Sequence, residues 1–159
     1  MEKDNILTPP LPTKKHKGRK ENPLVPIRLY TDGASRGNPG MAGIGIVIHV
    51  SSDQVLKEKS YIGIATNNTA EYKALIHGLK ILKEKKLARP LKIYSDSQLM
   101  VRQLNGKYKI KQPHLKRLAR EVNELLHFFP SHEIIFIRRE KNRHADRLAN
   151  EAIDDKELK

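Results

Sequence analysis

Two stretches of this chain echo each other. Ile27-Arg28-Leu29-Tyr30-Thr31-Asp32-Gly33 and Leu91-Lys92-Ile93-Tyr94-Ser95-Asp96-Ser97 both run apolar, basic, apolar, Tyr, hydroxyl, Asp. Each reads as a short buried strand that ends on a carboxylate. Strands of this kind, joined by a long segment containing a helix, are parallel neighbours in one sheet. Neighbouring strands lie about 4.8 Å apart, so in-register pairing sets Asp32 beside Asp96. Two carboxylates so close repel each other, and one keeps its proton unless a cation sits between them.

Two further acids join this pair. Glu71 lies four residues before Leu75, on the stripe that Leu75, Leu79 and Leu82 continue with Ala74 beside them. A carboxylate at the end of a core-facing stripe is costly unless it is coordinated or paired with a Lys or Arg. Asp146 falls in the first turn of a last helix, where the helix dipole favours an anion. Asp96 stands where an Asp often caps a helix. Hydrolysing a phosphodiester needs an attacking water and a stabilised leaving oxygen, and two Mg²⁺ ions roughly 4 Å apart serve both. Hard divalent cations take oxygen ligands, and Asp32, at the end of the central strand, is the natural bridging one.

The elements that must position these acids follow from pattern. After the first strand and an Ala34–Gly40 loop, Ala42–Val50 and Gln54–Ile64 read as strands joined by a Ser51-Ser52-Asp53 turn, which makes an antiparallel meander. Asn67–Leu87 reads as a helix. The echo strand Leu91–Ser95 precedes a short helix, Ser97–Leu104, which Asn105-Gly106 ends. Lys107–Lys111 is a basic connector. Pro113 opens a helix to about Phe129, and Pro130 stops it. His132–Arg138 reads as a fifth strand, Arg139-Glu140-Lys141 as a charged loop, and Asn142 as the cap of a helix with stripe Ala145, Leu148, Ala149, Ala152 that frays after about Asp154.

With 159 residues and 38% hydrophobic content, the chain is long enough for one domain with a real core. It contains no apolar run of about 18 residues, which excludes a membrane-spanning helix, and no signal-peptide pattern opens it. The absence of cysteine excludes disulfides and thiolate metal sites and fits a reducing, cytoplasmic compartment. The net charge of +13 points to a polyanion, most often nucleic acid. Residues 1–25 are Pro- and Lys-rich and read as a disordered tail whose Thr13–Lys20 cluster adds non-specific phosphate affinity. Its basic residues (Lys3, Lys14, Lys15, Lys17, Arg19, Lys20) are offset by Glu2, Asp4 and Glu21, so most of the positive excess belongs to the remaining residues. The chain thus divides into the tail, a globular part over 26–154 and a frayed end over 155–159.

These motifs together resemble type 1 ribonuclease H. Thr31–Gly40 resembles its first-strand signature, Thr66-Asn67-Asn68-Thr69-Ala70-Glu71 the start of its first helix, Ser95-Asp96-Ser97-Gln98 its third signature and Asn142–Ala149 its fourth. The similarity runs from about Ile27 to Ile153, and order, spacing and element type agree together. It implies an α/β ribonuclease H-like fold, a five-stranded mixed sheet flanked by helices. It implies endonucleolytic cleavage of the RNA strand in an RNA–DNA hybrid, leaving 5′-phosphate and 3′-hydroxyl ends, by a monomer that uses two Mg²⁺ or Mn²⁺ ions. The metal ligands it implies are Asp32, Glu71, Asp96 and Asp146. The substrate contacts are Gly33, Asn38, Asn67, Asn68 and Gln98, with Thr66 at a DNA-strand phosphate. Amides both donate and accept, which suits 2′-hydroxyls and minor-groove base edges, and Gly33 lets backbone approach RNA closely. Helix capping is the competing role for Asn67 and Asn68.

The chain departs from the pattern twice. Many members carry a mobile His before the last acid, where this chain offers Arg139, a permanent cation suited to a phosphate and poor as a proton shuttle. His144 stands only two residues before Asp146. The Trp-containing basic protrusion of some members is replaced by the short Lys107–Lys111 connector. A same-fold nuclease acting on double-stranded RNA or DNA, and a non-catalytic hybrid-binding module, are the competing functions. The amide set argues against a DNA-only enzyme, and the complete acid set against the module.

Overall fold

The two echo strands pair in parallel and in register. A computed structural model describes residues 25–158. In it, β1 (Ile27–Gly37) runs beside β4 (Leu91–Ser95), with Leu29 opposite Ile93, Tyr30 opposite Tyr94 and Thr31 opposite Ser95. The two tyrosine rings stack with centroids 4.7 Å apart. On the other side of β1 lie β2 (Gly40–Ser51) and β3 (Gln54–Ala65), both antiparallel, and β5 (His132–Phe136) pairs in parallel with β4. The sheet order is β3-β2-β1-β4-β5, the expected five-stranded mixed sheet. The helices are α1 (Asn67–Glu84), α2 (Gln98–Leu104), α3 (Pro113–Leu126) and α4 (Arg143–Glu157), with a 3₁₀ turn over Arg139–Lys141.

Side chains alternate across a strand, which separates the two faces of the sheet. Leu29, Ile46, Ile48 and Ile93 point to one face and meet Leu75, Leu79 and Leu82 of α1, all fully buried. Leu115 and Val122 of α3 complete this core. The stripe read from the sequence is therefore the buried face of α1. α4 covers the other face and sits directly on β2. A Cβ on Gly43 would stand 2.4 Å from the Ala149 carbonyl oxygen, and one on Gly45 2.1 Å from that of Ala145. Any side chain there would lift α4 off the sheet. Arg36 pairs with Asp154 and Glu157, and Lys59 with Glu151 and Asp155, so charges from β1 and β3 fix the outer face of α4. Exposed pairs of this kind orient a helix more than they stabilise it.

Several boundaries differ from expectation. The Ala34–Gly40 loop is mostly strand, because β1 and β2 form one long hairpin that closes at Gly37 opposite Gly40. Only Asn38-Pro39 remain as the turn, with a cis peptide between them. α1 stops at Glu84, three residues early, and Lys86 then adopts φ 59°. Ser97, not Asp96, caps α2 through its side chain, which accepts from the Met100 N–H. This leaves the Asp96 carboxylate to other work. α3 ends at Leu126 and β5 at Phe136. α4 continues to Glu157, held there by the Arg36 pair. The tail expected over residues 1–25 lies, apart from Val25, outside the described residues. Among the described residues no helix is long and apolar enough to cross a membrane.

Candidate active site

Parallel pairing of β1 and β4 brings Asp32 and Asp96 to the same edge of the sheet. Just past this edge the first turns of α1 deliver Glu71. One carboxylate oxygen from each of the three lies within 4.8 Å of the others. Asp32 and Glu71 are buried, at 4% and 9% exposure, and Asp96 is half-buried. Asp146, in the first turn of α4, lines the same cleft of about 410 Å³, together with Gly33, Asn67, Arg139 and Asn150. Four acids far apart in sequence thus face one space.

Local chemistry fixes each of them. The Gly33 N–H donates to Glu71 Oε1 at 3.2 Å, which ties β1 to α1. Gly33 has to be glycine for a packing reason as well, because a Cβ there would stand 2.3 Å from the Ala70 carbonyl carbon. Among the described residues no Lys or Arg forms an ion pair with Glu71, so its burial is not explained by such a pair. Asn142 is buried and stands at the N-cap of α4 without making a side-chain cap bond. Its Nδ2 donates instead to the Thr31 carbonyl at 2.9 Å, joining the start of α4 to β1. Asn150 Nδ2 donates to the Asp146 carbonyl oxygen at 3.0 Å and to its Oδ1 at 3.2 Å. Arg139 approaches Asp146 at 3.7 Å from a largely exposed position at the mouth.

The electrostatics of the cluster are strained. Burial is the largest cause pushing the Asp32 carboxyl well above the ordinary range, and the charges of Glu71, Asp96 and Asp146 add to it. Burial and then Asp96 raise Glu71, against the pull of the Gly33 N–H. Asp96 is raised by burial, opposed by hydrogen bonds with Asp32 and Asn142 and by the charge of Arg139. On their own these groups cannot all ionise at neutral pH. The donors are all hard anionic oxygens, which is the set a hard divalent cation takes. The residues therefore fit such an ion.

The amides surround this centre with clear local duties. Asn38 Oδ1 accepts from the Asn67 N–H at 3.0 Å, and Asn67 Oδ1 accepts from the Ser35 N–H at 3.0 Å. The N-cap of α1 is Thr66, whose hydroxyl accepts from the Thr69 N–H at 3.2 Å. Capping, expected of Asn67 or Asn68, therefore belongs to Thr66. Asn38, Thr66, Asn68 and Gln98 stand outside the wall of the acid cleft, beside the starts of α1 and α2. His144 turns away from the acids and lines a separate cavity with Tyr30, Val47 and His49. Asn150 is the residue that sequence reasoning missed. Its signal was its spacing, four residues after Asp146 on one helix face.

The family model described as "Reverse transcriptase-like" matches residues 30–152. Ribonuclease HI of Halobacterium salinarum is 43% identical over 131 residues, covering 81% of this chain and 65% of that protein. Its crystal structure superimposes with a TM-score of 0.77 and covers 82% of this chain and 99% of the solved one. A bifunctional protein of Mycobacterium tuberculosis is 42% identical over 130 residues, 80% of this chain and 35% of its own length. This chain thus spans only about a third of that mycobacterial relative. LC11-RNase H1, solved in complex with an RNA/DNA hybrid, is 43% identical with a TM-score of 0.77, covering 84% of this chain and 99% of that one. A fold shared almost end to end with these solved domains, at this level of identity, places the chain in the type 1 ribonuclease H family.

Proposed function

We propose that this protein is an endonuclease that hydrolyses the RNA strand of RNA–DNA hybrids and leaves 5′-phosphate and 3′-hydroxyl ends. The observation that carries this reading is the convergence of Asp32, Glu71 and Asp96 within 4.8 Å, with Asp146 and Arg139 on the same cleft. The relative solved with an RNA/DNA hybrid supports the substrate class. Asp32, Glu71 and Asp96, with Asp146 on the same cleft, would hold two divalent ions, Mg²⁺ or Mn²⁺. When bound, such ions neutralise the phosphodiester and lower the pKa of water.

The chain's own groups divide the remaining work. Asp32 would be the ligand common to the group, because it stands on the central strand at the point where β4 ends, close to Glu71 and Asp96. Glu71 stays oriented through the Gly33 N–H and Asp146 through Asn150. Arg139 meets the scissile phosphate with a permanent charge and planar donors. Gly33, Asn38, Asn67, Asn68 and Gln98 read 2′-hydroxyls and minor-groove edges, the features that mark RNA. Thr66 donates to a phosphate of the DNA strand. The folded part, from about residue 26 to the end of α4 at Glu157, forms the catalytic domain, and the basic tail before it adds phosphate affinity. The protein acts as a monomer, and its lack of cysteine suits the cytoplasm.

The test is cleavage of end-labelled RNA–DNA hybrid, double-stranded RNA and double-stranded DNA, each with and without EDTA. Metal-dependent cutting of the hybrid's RNA strand alone is expected. Preferential cutting of double-stranded RNA would move the protein to the competing nuclease function. Hybrid binding without cleavage in Mg²⁺ or Mn²⁺ would make it a binding module.

A further inference from the structure

His114, in the first turn of α3, reaches across to α1. Its Nε2 lies 2.6 Å from Thr69 Oγ1. The Thr69 hydroxyl is in turn 3.0 Å from Thr66 Oγ1. Thr69 is 8% exposed, so it is buried between the two helices, whereas Thr66 and His114 are half-buried. The three groups form a line from α3 to the N-cap of α1.

Proton counting gives this line two settings in which the buried Thr69 hydroxyl spends its proton within it. Each hydroxyl owns one proton, and each of the two links uses one. In the first setting His114 Nε2 carries a proton and donates to Thr69. Thr69 then has its own proton to turn toward Thr66, 3.0 Å away, and Thr66 accepts it along with the bond from the Thr69 N–H at 3.2 Å. The Thr66 proton is left to point outward. In the second setting Nε2 accepts from Thr69, Thr69 accepts from Thr66, and Thr66 spends its only proton inward. Only the first setting makes Thr66 a donor to an anion.

We propose that His114 is a positioning residue for hybrid binding, which sets the Thr66 hydroxyl as a donor to a nucleic-acid phosphate by donating through Thr69. The proposal rests on the reading of this chain as a hybrid-cleaving enzyme, and it adds α3 to the machinery that grips the DNA strand. No role for His114 follows from the acid cleft, which it does not line. A purely structural link between α1 and α3 would be indifferent to the direction of its hydrogen bonds. The proposed role is not.

The experiment measures hybrid affinity by fluorescence anisotropy in Ca²⁺, with steady-state cleavage in Mg²⁺ alongside. His114→Ala is expected to weaken binding about 5–10-fold, the scale of one hydrogen bond to a charged group. KM rises by the same factor, with kcat at saturating hybrid close to wild type. His114→Gln, whose amide reaches the Nε2 position and can donate, restores affinity. Thr66→Val weakens binding alone, and adding His114→Ala to it costs nothing more, because the two act through one contact. Unchanged affinity in His114→Ala, full additivity with Thr66→Val, or a fall in kcat without a change in KM would each overturn the proposal. Wild-type protein that binds hybrid but fails to cleave it would count against the enzymatic reading instead, and the affinity cycle would still decide the role of His114.

Discussion

The Gly33 N–H donates to Glu71 Oε1 across the junction of β1 and α1. The same glycine brings the backbone of α1 so near that a Cβ would overlap the Ala70 carbonyl carbon. One residue therefore sets both the distance between strand and helix and the direction of a buried carboxylate. Gly33→Ala is expected to lower stability by about 2–3 kcal/mol through overpacking against backbone. The melting temperature falls by about 5–10 °C, and cleavage is lost even at temperatures where the variant stays folded. Thermal melts paired with single-turnover cleavage check this.

Asp32 is the most buried acid of the cluster and stands among the other three. Asp32→Asn is expected to reduce kcat on the order of a thousandfold, the scale of losing a group that organises transition-state charge. Hybrid binding in Ca²⁺ is largely retained. The metal-free variant melts higher than wild type, since the change removes a carboxyl that burial and its neighbours disfavour as an anion. Calorimetry in EDTA reads the melting temperature, and turnover like that of wild type would remove Asp32 from the chemistry.

The raised carboxyls also make metal-free stability depend on pH. Asp32, Glu71 and Asp96 all titrate above their ordinary range in the folded chain. Between the unfolded and folded values the folded state holds more protons than the unfolded one, so stability falls as pH rises. The contribution is complete below about pH 4 and is lost through neutral pH. In EDTA the melting temperature is expected to drop by about 5 °C or more from pH 5 to pH 8. Excess Mn²⁺ or Mg²⁺ flattens the dependence, and Asp32→Asn reduces it. A flat profile in EDTA would show that these carboxyls do not crowd one another.

Asn150 lines the cleft and donates to Asp146 through two hydrogen bonds, while its Oδ1 accepts from Arg36 on the far side. Removing a group that orients a metal-binding carboxylate typically costs about 10–100-fold in metal affinity or activity. Asn150→Ala is therefore expected to raise the Mn²⁺ concentration needed for half-maximal cleavage by about tenfold, with hybrid affinity in Ca²⁺ unchanged. A Mn²⁺ titration of initial rates checks it.

The basic segment before Val25 is proposed to contribute phosphate affinity. Deleting residues 1–24 is expected to raise KM several-fold at moderate salt, to lessen the salt dependence of binding, and to leave kcat nearly alone. An unchanged KM would assign the segment no part in substrate binding.

Much of the site was legible because period-2 and helical patterns report burial directly. The echo of Ile27–Asp32 in Leu91–Asp96 foretold parallel register, and the Leu75–Leu79–Leu82 stripe foretold that Glu71 faces inward. What stayed hidden depends on contacts between distant backbone segments. The extension of β1 to Gly37 is dictated by pairing with β2, and no local signal in Ala34–Gly37 announces it. The duty of Asn142, a bond to the Thr31 carbonyl in place of a cap, needs the two elements side by side. So does the link from His114 to Thr69, 45 residues apart. Hydrophobic period locates an element, whereas the partner of a single amide or imidazole is a tertiary fact.

The contact of Gly43 and Gly45 with α4 has a mechanical meaning. The last acid rides on a helix that rests on bare peptide, with no compressible side chain as a cushion between them. Its height above the strands is thus gauged by the thickness of two polypeptide backbones, a dimension that heating, ligand exchange or repacking elsewhere can barely alter. Asp146 therefore keeps its place by the stacking of main chain on main chain, and the spacing of the four acids inherits that stiffness.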